Sequence, residues 1–148
     1  MPDTLLKFIP ALQNFIPQKE NQDKAELYLN NIFRGTIIEF ENAEEIEFVD
    51  QGQNFDSVSC NHCGKNIDLE LWQTIMDTAY KNRFNDLTFD TTCCHQKANL
   101  NDLHYNWPAG FAKFIISISN PVNDIQDNEF IDLENILDIK LKKIWAHY

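Results

Sequence analysis

Four cysteines in a two-plus-two arrangement constrain this chain more than any other feature. Cys60 and Cys63 form a C-x-x-C pair, and Cys93 and Cys94 are adjacent, separated from the first pair by residues 64–92. Zn²⁺ binds thiolate and imidazole ligands in a tetrahedron, and four protein ligands leave no position open for water or substrate. The sequence therefore predicts one zinc site with four sulfur ligands and a structural role.

The adjacent pair departs from the second C-x-x-C that a zinc ribbon usually carries. Neighbouring residues on a strand point to opposite faces, so Cys93 and Cys94 reach one metal only if the chain turns between them. If the strand continues instead, His95 shares a face with Cys93 and is the rival fourth ligand. His62 is the next reserve. Gly64 supplies the positive φ that closes the first turn.

Two other uses of the cysteines stay open. Disulfides form in oxidising compartments, but the N-terminal MPDTLLKFIP lacks the basic start of a signal peptide. A thioredoxin-like redox pair opens a helix, whereas Cys60 follows a strand-like segment and Cys63 precedes a glycine. We therefore favour zinc, and we expect a cytoplasmic protein.

The charge balance argues against two classes of partner. The formal net charge is −11, whereas binding to nucleic-acid phosphates or to anionic membranes needs a surface of Lys and Arg. No apolar run approaches the length of a membrane span. A local basic group leaves nucleic-acid binding as a third class of function, and its members are Lys65, Lys81, Arg83 and Lys97.

Two acidic tracts stand out within this balance. Neither the tract from Gly35 to Gly64 nor the tract from Phe114 to Ile139 contains a Lys or Arg residue. The plainer interpretation is two solvated surfaces. If the tracts converge on one face, they form a docking site for a basic protein, because complementary potentials speed and select association. An immunity-type protein that neutralises a basic toxin is one concrete form of this hypothesis.

The two ends of the chain repeat the order strand, helix, strand. This order predicts an α+β fold with a ferredoxin-like split βαβ sheet, built from residues 1–56 and 111–148, and with a zinc-ribbon-like subdomain inserted at 57–110. The pair 36–40 and 45–49 forms either a hairpin or one bent strand. The predicted outer elements are strands at 4–9, 36–40, 45–49, 111–119 and 144–148, and helices at 22–33 and 128–142.

Capping residues and charges refine the predicted helices. Asn21 or Asp23 is expected to cap the first helix and Asp127 the last, whose final turn would carry Lys140, Lys142 and Lys143. The insertion is expected to hold a helix over 69–84, capped by Asp68, and a strand over 87–91.

A polar and aromatic stretch from Leu100 to Phe111 is the second candidate site. It contains Asp102, His104, Tyr105 and Trp107, and such residues in a loop are typical of binding surfaces. Asp102 and His104 suit an acid–base pair, but no nucleophile in a recognisable motif accompanies them. We favour a packing role for this stretch and a non-enzymatic protein. The alternative is a small-ligand-binding protein or an enzyme that uses the Asp102–Trp107 loop.

Several motifs resemble a family of small bacterial CxxC…CC zinc-ribbon-like proteins. In this chain they are Phe8-Ile9-Pro10, Phe48 to Phe55, Cys60 to Cys63, Trp72 to Tyr80, Thr91 to Cys94, Leu100 to Phe114 and Trp145 to Tyr148. Relatives carry a glycine at the position of His95, which favours Cys94 as the fourth ligand. The resemblance implies no activity. Some relatives are labelled sugar ABC transporter ATPases, but this chain contains no P-loop for ATP.

Overall fold

The computed structural model describes residues 3–148. These residues form three helices and eight strands. The fold is therefore of the mixed helix and strand class that the sequence predicts. In chain order the elements are β1 (Thr4–Pro10), α1 (Lys19–Ile32), β2 (Ile38–Val49), β3 (Val58–Ser59), α2 (Leu69–Tyr80), β4 (Thr88–Asp90), β5 (Lys97–Asn99), β6 (His104–Tyr105), β7 (Gly110–Ser119), α3 (Asp127–Leu137) and β8 (Leu141–His147).

The four long strands form one antiparallel sheet in the order β2-β7-β1-β8. Each end of the chain contributes a strand, a helix and a second strand, and the two strands of each unit are separated in the sheet by a strand of the other unit. The strands β3 to β6 pair among themselves in two small sheets. The inserted segment therefore hydrogen-bonds within itself rather than extending the main sheet.

The strand β2 is one bent strand rather than a hairpin. Its register against β7 shifts between Asn42 and Glu47, and irregular pairing of this kind bends a strand. Before the shift, Ile38 and Phe40 pack with the residues beneath the helices. Because side chains alternate along a strand, Glu39 and Glu41 point to the opposite side.

Two helices cover one face of the sheet. The helices α1 and α3 contact each other, and they bury Leu29 and Leu133 completely against the sheet residues Phe8 and Phe114. Burial of large apolar side chains of this kind contributes about 1.5–3 kcal/mol each. The acidic residues of the second tract that lie on α3 are therefore on the helix side, away from Glu39 and Glu41. These parts of the two acidic tracts do not share one face.

The insertion shares a hydrophobic core with the sheet. Trp72, Met76 and Tyr105 of the insertion belong to the same buried cluster as Ile46 of β2 and Phe111 of β7. The ring of Phe111 is fully buried and lies 5.1 Å from that of Phe48 and 5.2 Å from that of Phe84, centre to centre. The two parts of the chain are thus joined by packing as well as by their covalent links.

Hydrogen bonds also join the insertion to the main sheet. The amide oxygen of Asn101 accepts a hydrogen bond from the Phe111 backbone at 3.0 Å. The ammonium group of Lys142 donates to the backbone oxygens of Asn101, at 2.9 Å, and Ala109, at 3.1 Å. Burial lowers the pKa of Lys142. This lysine was expected in the last turn of a helix, but it lies in β8 and ties the insertion to the sheet.

Helix ends are where the sequence predictions were wrong. The helix α1 begins at Lys19 rather than near Gln22, and neither Asn21 nor Asp23 caps it, because Gln18 occupies that position. The helix α3 ends at Leu137 because Asp138 takes a left-handed conformation with φ 59°, so Lys140 and Lys143 also lie beyond it. Its N-cap is Gln126 rather than Asp127.

The helix of the insertion was predicted better at its start than at its end. Asp68 caps α2 by accepting a hydrogen bond from the Glu70 backbone at 2.8 Å. The helix stops at Tyr80 rather than Phe84, because Arg83 and Phe84 both adopt φ 61°. Two successive left-handed residues reverse the chain, and the reversal places Phe84 in the core.

Candidate metal centre

The four cysteine sulfurs come together at one point. Their Sγ atoms all lie within 4.8 Å of one another, with 3.4 Å between Cys63 and Cys93, 3.8 Å between Cys60 and Cys94, and 4.0 Å between Cys93 and Cys94. A zinc ion with bonds of about 2.3 Å to four thiolates spaces the sulfurs about 3.8 Å apart. The cluster therefore has the size of a single tetrahedral site, and it is compatible with a structural metal ion.

The first pair of ligands lies on a tight loop between Cys60 and Lys65. The Cys60 backbone N–H donates to Lys65 at 2.9 Å, and the Gly64 N–H donates to the Cys60 carbonyl at 3.0 Å. Gly64 closes the loop with φ 78°. Backbone N–H groups of Cys63 and His62 point at the Cys60 sulfur and lower the pKa of Cys60 to about 6. The loop thus stabilises a thiolate, the form that binds metal.

The second pair lies on a loop with the same hydrogen-bond pattern. The Thr91 N–H donates to Gln96 at 2.9 Å, and the His95 N–H donates to the Thr91 carbonyl at 3.1 Å. His95 has φ 54° and takes the place of Gly64. By this equivalence Thr91 corresponds to Cys60, and Cys94 corresponds to Cys63. The chain turns between Cys93 and Cys94, as binding of both to one metal requires.

Thr91 occupies the position where a second C-x-x-C would have its first cysteine. Its hydroxyl lies 3.3 Å from the Cys94 sulfur and accepts a hydrogen bond from the Gln96 backbone at 3.0 Å. Cys93 supplies the remaining sulfur from within the turn. Thr91 was not among the predicted site residues, although its spacing of three from Cys94 was a usable signal.

Neither reserve histidine belongs to the cluster. The imidazole Nε2 of His62 makes a hydrogen bond of 2.9 Å with the Lys97 carbonyl and so bridges the two loops. His95 is exposed, and its backbone closes the second loop. The structure therefore brings Cys94, and not His95, next to the other three sulfurs.

The thiols of the cluster differ in pKa. A hydrogen bond with Cys63, followed by burial, raises the pKa of Cys93 to about 12, while that of Cys60 is lowered. A metal ion that binds four thiolates must therefore displace protons, as ligand deprotonation always requires.

The four residues of the second candidate site do not converge. Tyr105 is buried in the core, where its hydroxyl donates to the Leu100 carbonyl at 2.7 Å and accepts from Trp72 at 3.3 Å. Asp102 and His104 are exposed. Trp107 is 48% exposed and lies in a separate cleft with Trp145 and His147. The packing interpretation accordingly fits Tyr105, whereas the other three side chains are exposed.

The basic group of the insertion is partly neutralised. All four of its members are exposed, but Arg83 pairs with Glu45 at 3.5 Å. An acidic side chain at that position opposes nucleic-acid binding, which stays the weaker hypothesis.

No family model, curated protein or solved structure matches the chain. The family resemblance drawn from the motifs therefore stays a prediction. Among residues 3–148, no helix combines the length and apolar composition that crossing a bilayer requires.

Proposed function

We propose that this chain is a non-enzymatic, cytoplasmic protein that holds one structural zinc ion and binds a basic protein through the exposed glutamates of β2. The observation that carries the binding proposal is the charge of this strand, which lies at an edge of the sheet. Five exposed carboxylates lie along its twelve residues, and they are Glu39, Glu41, Glu44, Glu45 and Glu47. An immunity-type inhibitor of a basic toxin is one form this function takes.

Zinc is the metal that the ligand chemistry favours. Tetrahedral sites with four sulfur ligands suit Zn²⁺ or iron, and paired loops with backbone N–H groups directed at sulfur stabilise thiolates around one ion. The reducing cytoplasm keeps such thiols free of disulfides. Four protein ligands leave no coordination position for a substrate, which supports a structural role.

We also propose that the sheet is ferredoxin-like and that residues 57–110 form a zinc-ribbon-like insertion. The order β2-β7-β1-β8, with two strand–helix–strand units interleaved, supports the first part. The two matching loops at Cys60–Lys65 and Thr91–Gln96 support the second.

Two carboxyl groups of the acidic strand, those of Glu41 and Glu47, interact directly with each other. A hydrogen bond between their carboxyl groups, followed by burial and by repulsion from Glu41, raises the pKa of Glu47 to about 7. Two carboxyl groups that share a proton hold each other in an unfavourable ionised state at higher pH. A cation from a partner would relieve this repulsion.

Substitution of Glu47 by Gln is expected to stabilise the protein at alkaline pH and to have no effect near pH 4. The folded state binds the Glu47 proton more tightly than the unfolded state, where the pKa is about 4.5. The stabilisation that the protonated Glu47 provides is therefore complete below about pH 4.5, and it is lost as the pH rises through about 7. Thermal unfolding midpoints at pH 4 and pH 8.5 test the prediction. Glu26→Gln on α1 is the control, and an equal gain there would contradict it.

Binding to a basic probe is expected to depend on β2 and not on total charge. The test variant replaces Glu39, Glu41, Glu44 and Glu47 by Gln. The control variant replaces four exposed carboxylates on the helix side by their amides, namely Glu20, Asp23, Glu26 and Asp127, and so has the same net charge. We expect the Kd for a lysine- and arginine-rich peptide, measured by calorimetry, to rise at least tenfold in the β2 variant only.

Salt dependence completes this experiment. Exposed charges are screened over about 10 Å at 0.1 M salt, so wild-type binding should weaken steeply with ionic strength and the β2 variant should lose most of that slope. Equal weakening of the two variants would show binding by overall charge alone. In that case the proposed surface is wrong.

A further inference from the structure

The exposed cleft that contains Trp107 lies at β8, the edge strand of the sheet opposite to β2. It has a volume of about 460 Å³ and is lined by Thr4, Asn54, Trp107, Asp124, Trp145 and His147. Five parts of the chain meet there: the start of β1, the segment after β2, the loop before β7, the loop before α3 and the end of β8. We propose that this cleft binds an arginine side chain of the basic partner.

Trp107 is held in place at a cost in backbone energy. Its φ of 62° is left-handed, which costs a residue with a bulky side chain about 1–2 kcal/mol. The fully buried Gln51 fixes this conformation by donating from Nε2 to the Trp107 carbonyl at 2.9 Å. A strained residue that the surrounding structure fixes, and whose indole is nevertheless half-exposed, is typical of a binding site.

The cleft is also rigid at its other wall. The backbone of Gln53 donates to the His147 carbonyl at 2.7 Å, and Asn54 Nδ2 donates to the Trp145 carbonyl at 3.1 Å. The imidazole Nδ1 of His147 lies 3.2 Å from the Thr4 hydroxyl. Wall residues fixed in this way lose little entropy when a ligand binds.

The atoms left over in the cleft are hydrogen-bond acceptors. Within residues 3–148, the amide oxygen of Asn54 has no hydrogen-bond partner, and the Asp124 carboxylate has lone pairs beyond its contacts with Lys143 and the Ile125 backbone. A guanidinium group offers five N–H donors in a plane and stacks on indole rings. A cleft that combines these acceptors with two indoles therefore matches arginine better than an anion or an apolar group.

One feature of the cleft opposes a cation and provides a sharp test. Lys143 pairs with Asp124 at 2.7 Å and places a positive charge beside the proposed ligand. Replacing Lys143 by Gln removes this competitor and is expected to strengthen binding. Damage to the fold would not produce such a gain.

The experiment uses the labelled chain and a small probe, so that it does not depend on β2. The protein contains three tryptophans, and incorporation of 5-fluorotryptophan gives three ¹⁹F resonances, which Trp107→Gly and Trp145→Phe assign. On titration with N-acetyl-arginine methylamide we expect the Trp107 and Trp145 resonances to shift with one shared Kd, while the buried Trp72 stays unchanged. Lys143→Gln should lower that Kd several-fold, and Trp107→Gly should abolish the response.

Other outcomes would overturn the inference. It is wrong if neither cleft resonance shifts, or if the uncharged norleucine analogue shifts both resonances equally. The ligand's origin in a basic partner rests on the function proposed above, but the two can fail separately. The β2 variant tests the partner surface without Trp107, and the arginine probe tests the cleft without the partner.

Discussion

Protein purified without added metal is expected to carry one zinc ion per chain, and removal of this ion should unfold the insertion. Structural zinc sites in small domains contribute about 10–16 kcal/mol of apparent binding free energy, and one ion would join the loop that carries Cys60 to the loop that carries Cys94. Native mass spectrometry before and after a chelator measures the stoichiometry. Hydrogen exchange over α2 measures the loss of structure, which should spread to the core around Trp72.

Single substitutions identify the ligands in the same experiment. Cys63→Ser and Cys94→Ser should each abolish retention of zinc during purification. His95→Gly should retain zinc at no cost in stability, because its φ of 54° suits glycine. A zinc-free protein with free or disulfide-linked thiols would refute the site. Loss of zinc in His95→Gly but not in Cys94→Ser would mean that His95, and not Cys94, is the fourth ligand.

Phe111→Ala is expected to be the most destabilising change in the core, at about 3–5 kcal/mol. The side chain is fully buried and packs between Phe48 of the sheet and Phe84 of the insertion, so its removal leaves a cavity where the two parts meet. Urea unfolding of the zinc-loaded protein measures the loss. The expected loss is given as a range because it depends on how far the surrounding residues collapse into the cavity.

A matched truncation on the surface serves as the control. Leu27 is 70% exposed on α1, and Leu27→Ala should change the free energy of unfolding by no more than about 0.5 kcal/mol. A loss below about 1 kcal/mol for Phe111→Ala would mean that the insertion and the sheet unfold independently. The shared core described above would then have no energetic consequence.

The positions of the main elements and the cysteine cluster could be predicted because local patterns determine them. Alternating residues of β2, the helical repeat of α2 and the Asp68 cap are all readable within a few residues of sequence. The spacing of Cys60, Cys63, Cys93 and Cys94 restricts a metal to one geometry. The choice of Cys94 depended on a turn between Cys93 and Cys94, which the sequence marked only weakly, by the spacing of three between Thr91 and Cys94.

What could not be predicted is determined by contacts between distant residues. The apolar repeat of α2 continues to Phe84, but consecutive left-handed residues without a glycine end the helix earlier. Lys142 leaves the helical pattern because backbone oxygens of Asn101 and Ala109 accept its hydrogen bonds. The cleft joins Asn54, Trp107 and Trp145, and no spacing along the chain relates these residues.

The exposed edge of β2 also has a consequence for how copies of this protein behave in concentrated solution. Alternate residues of this twelve-residue edge strand direct backbone groups away from β7, and a second copy can add to them. We expect repulsion between the glutamates on neighbouring copies to prevent this stacking at neutral pH. The sequence pI is near 4.6, so the protection disappears as the carboxylates gain protons, and β-rich self-assembly should set in as the solution is acidified toward that value.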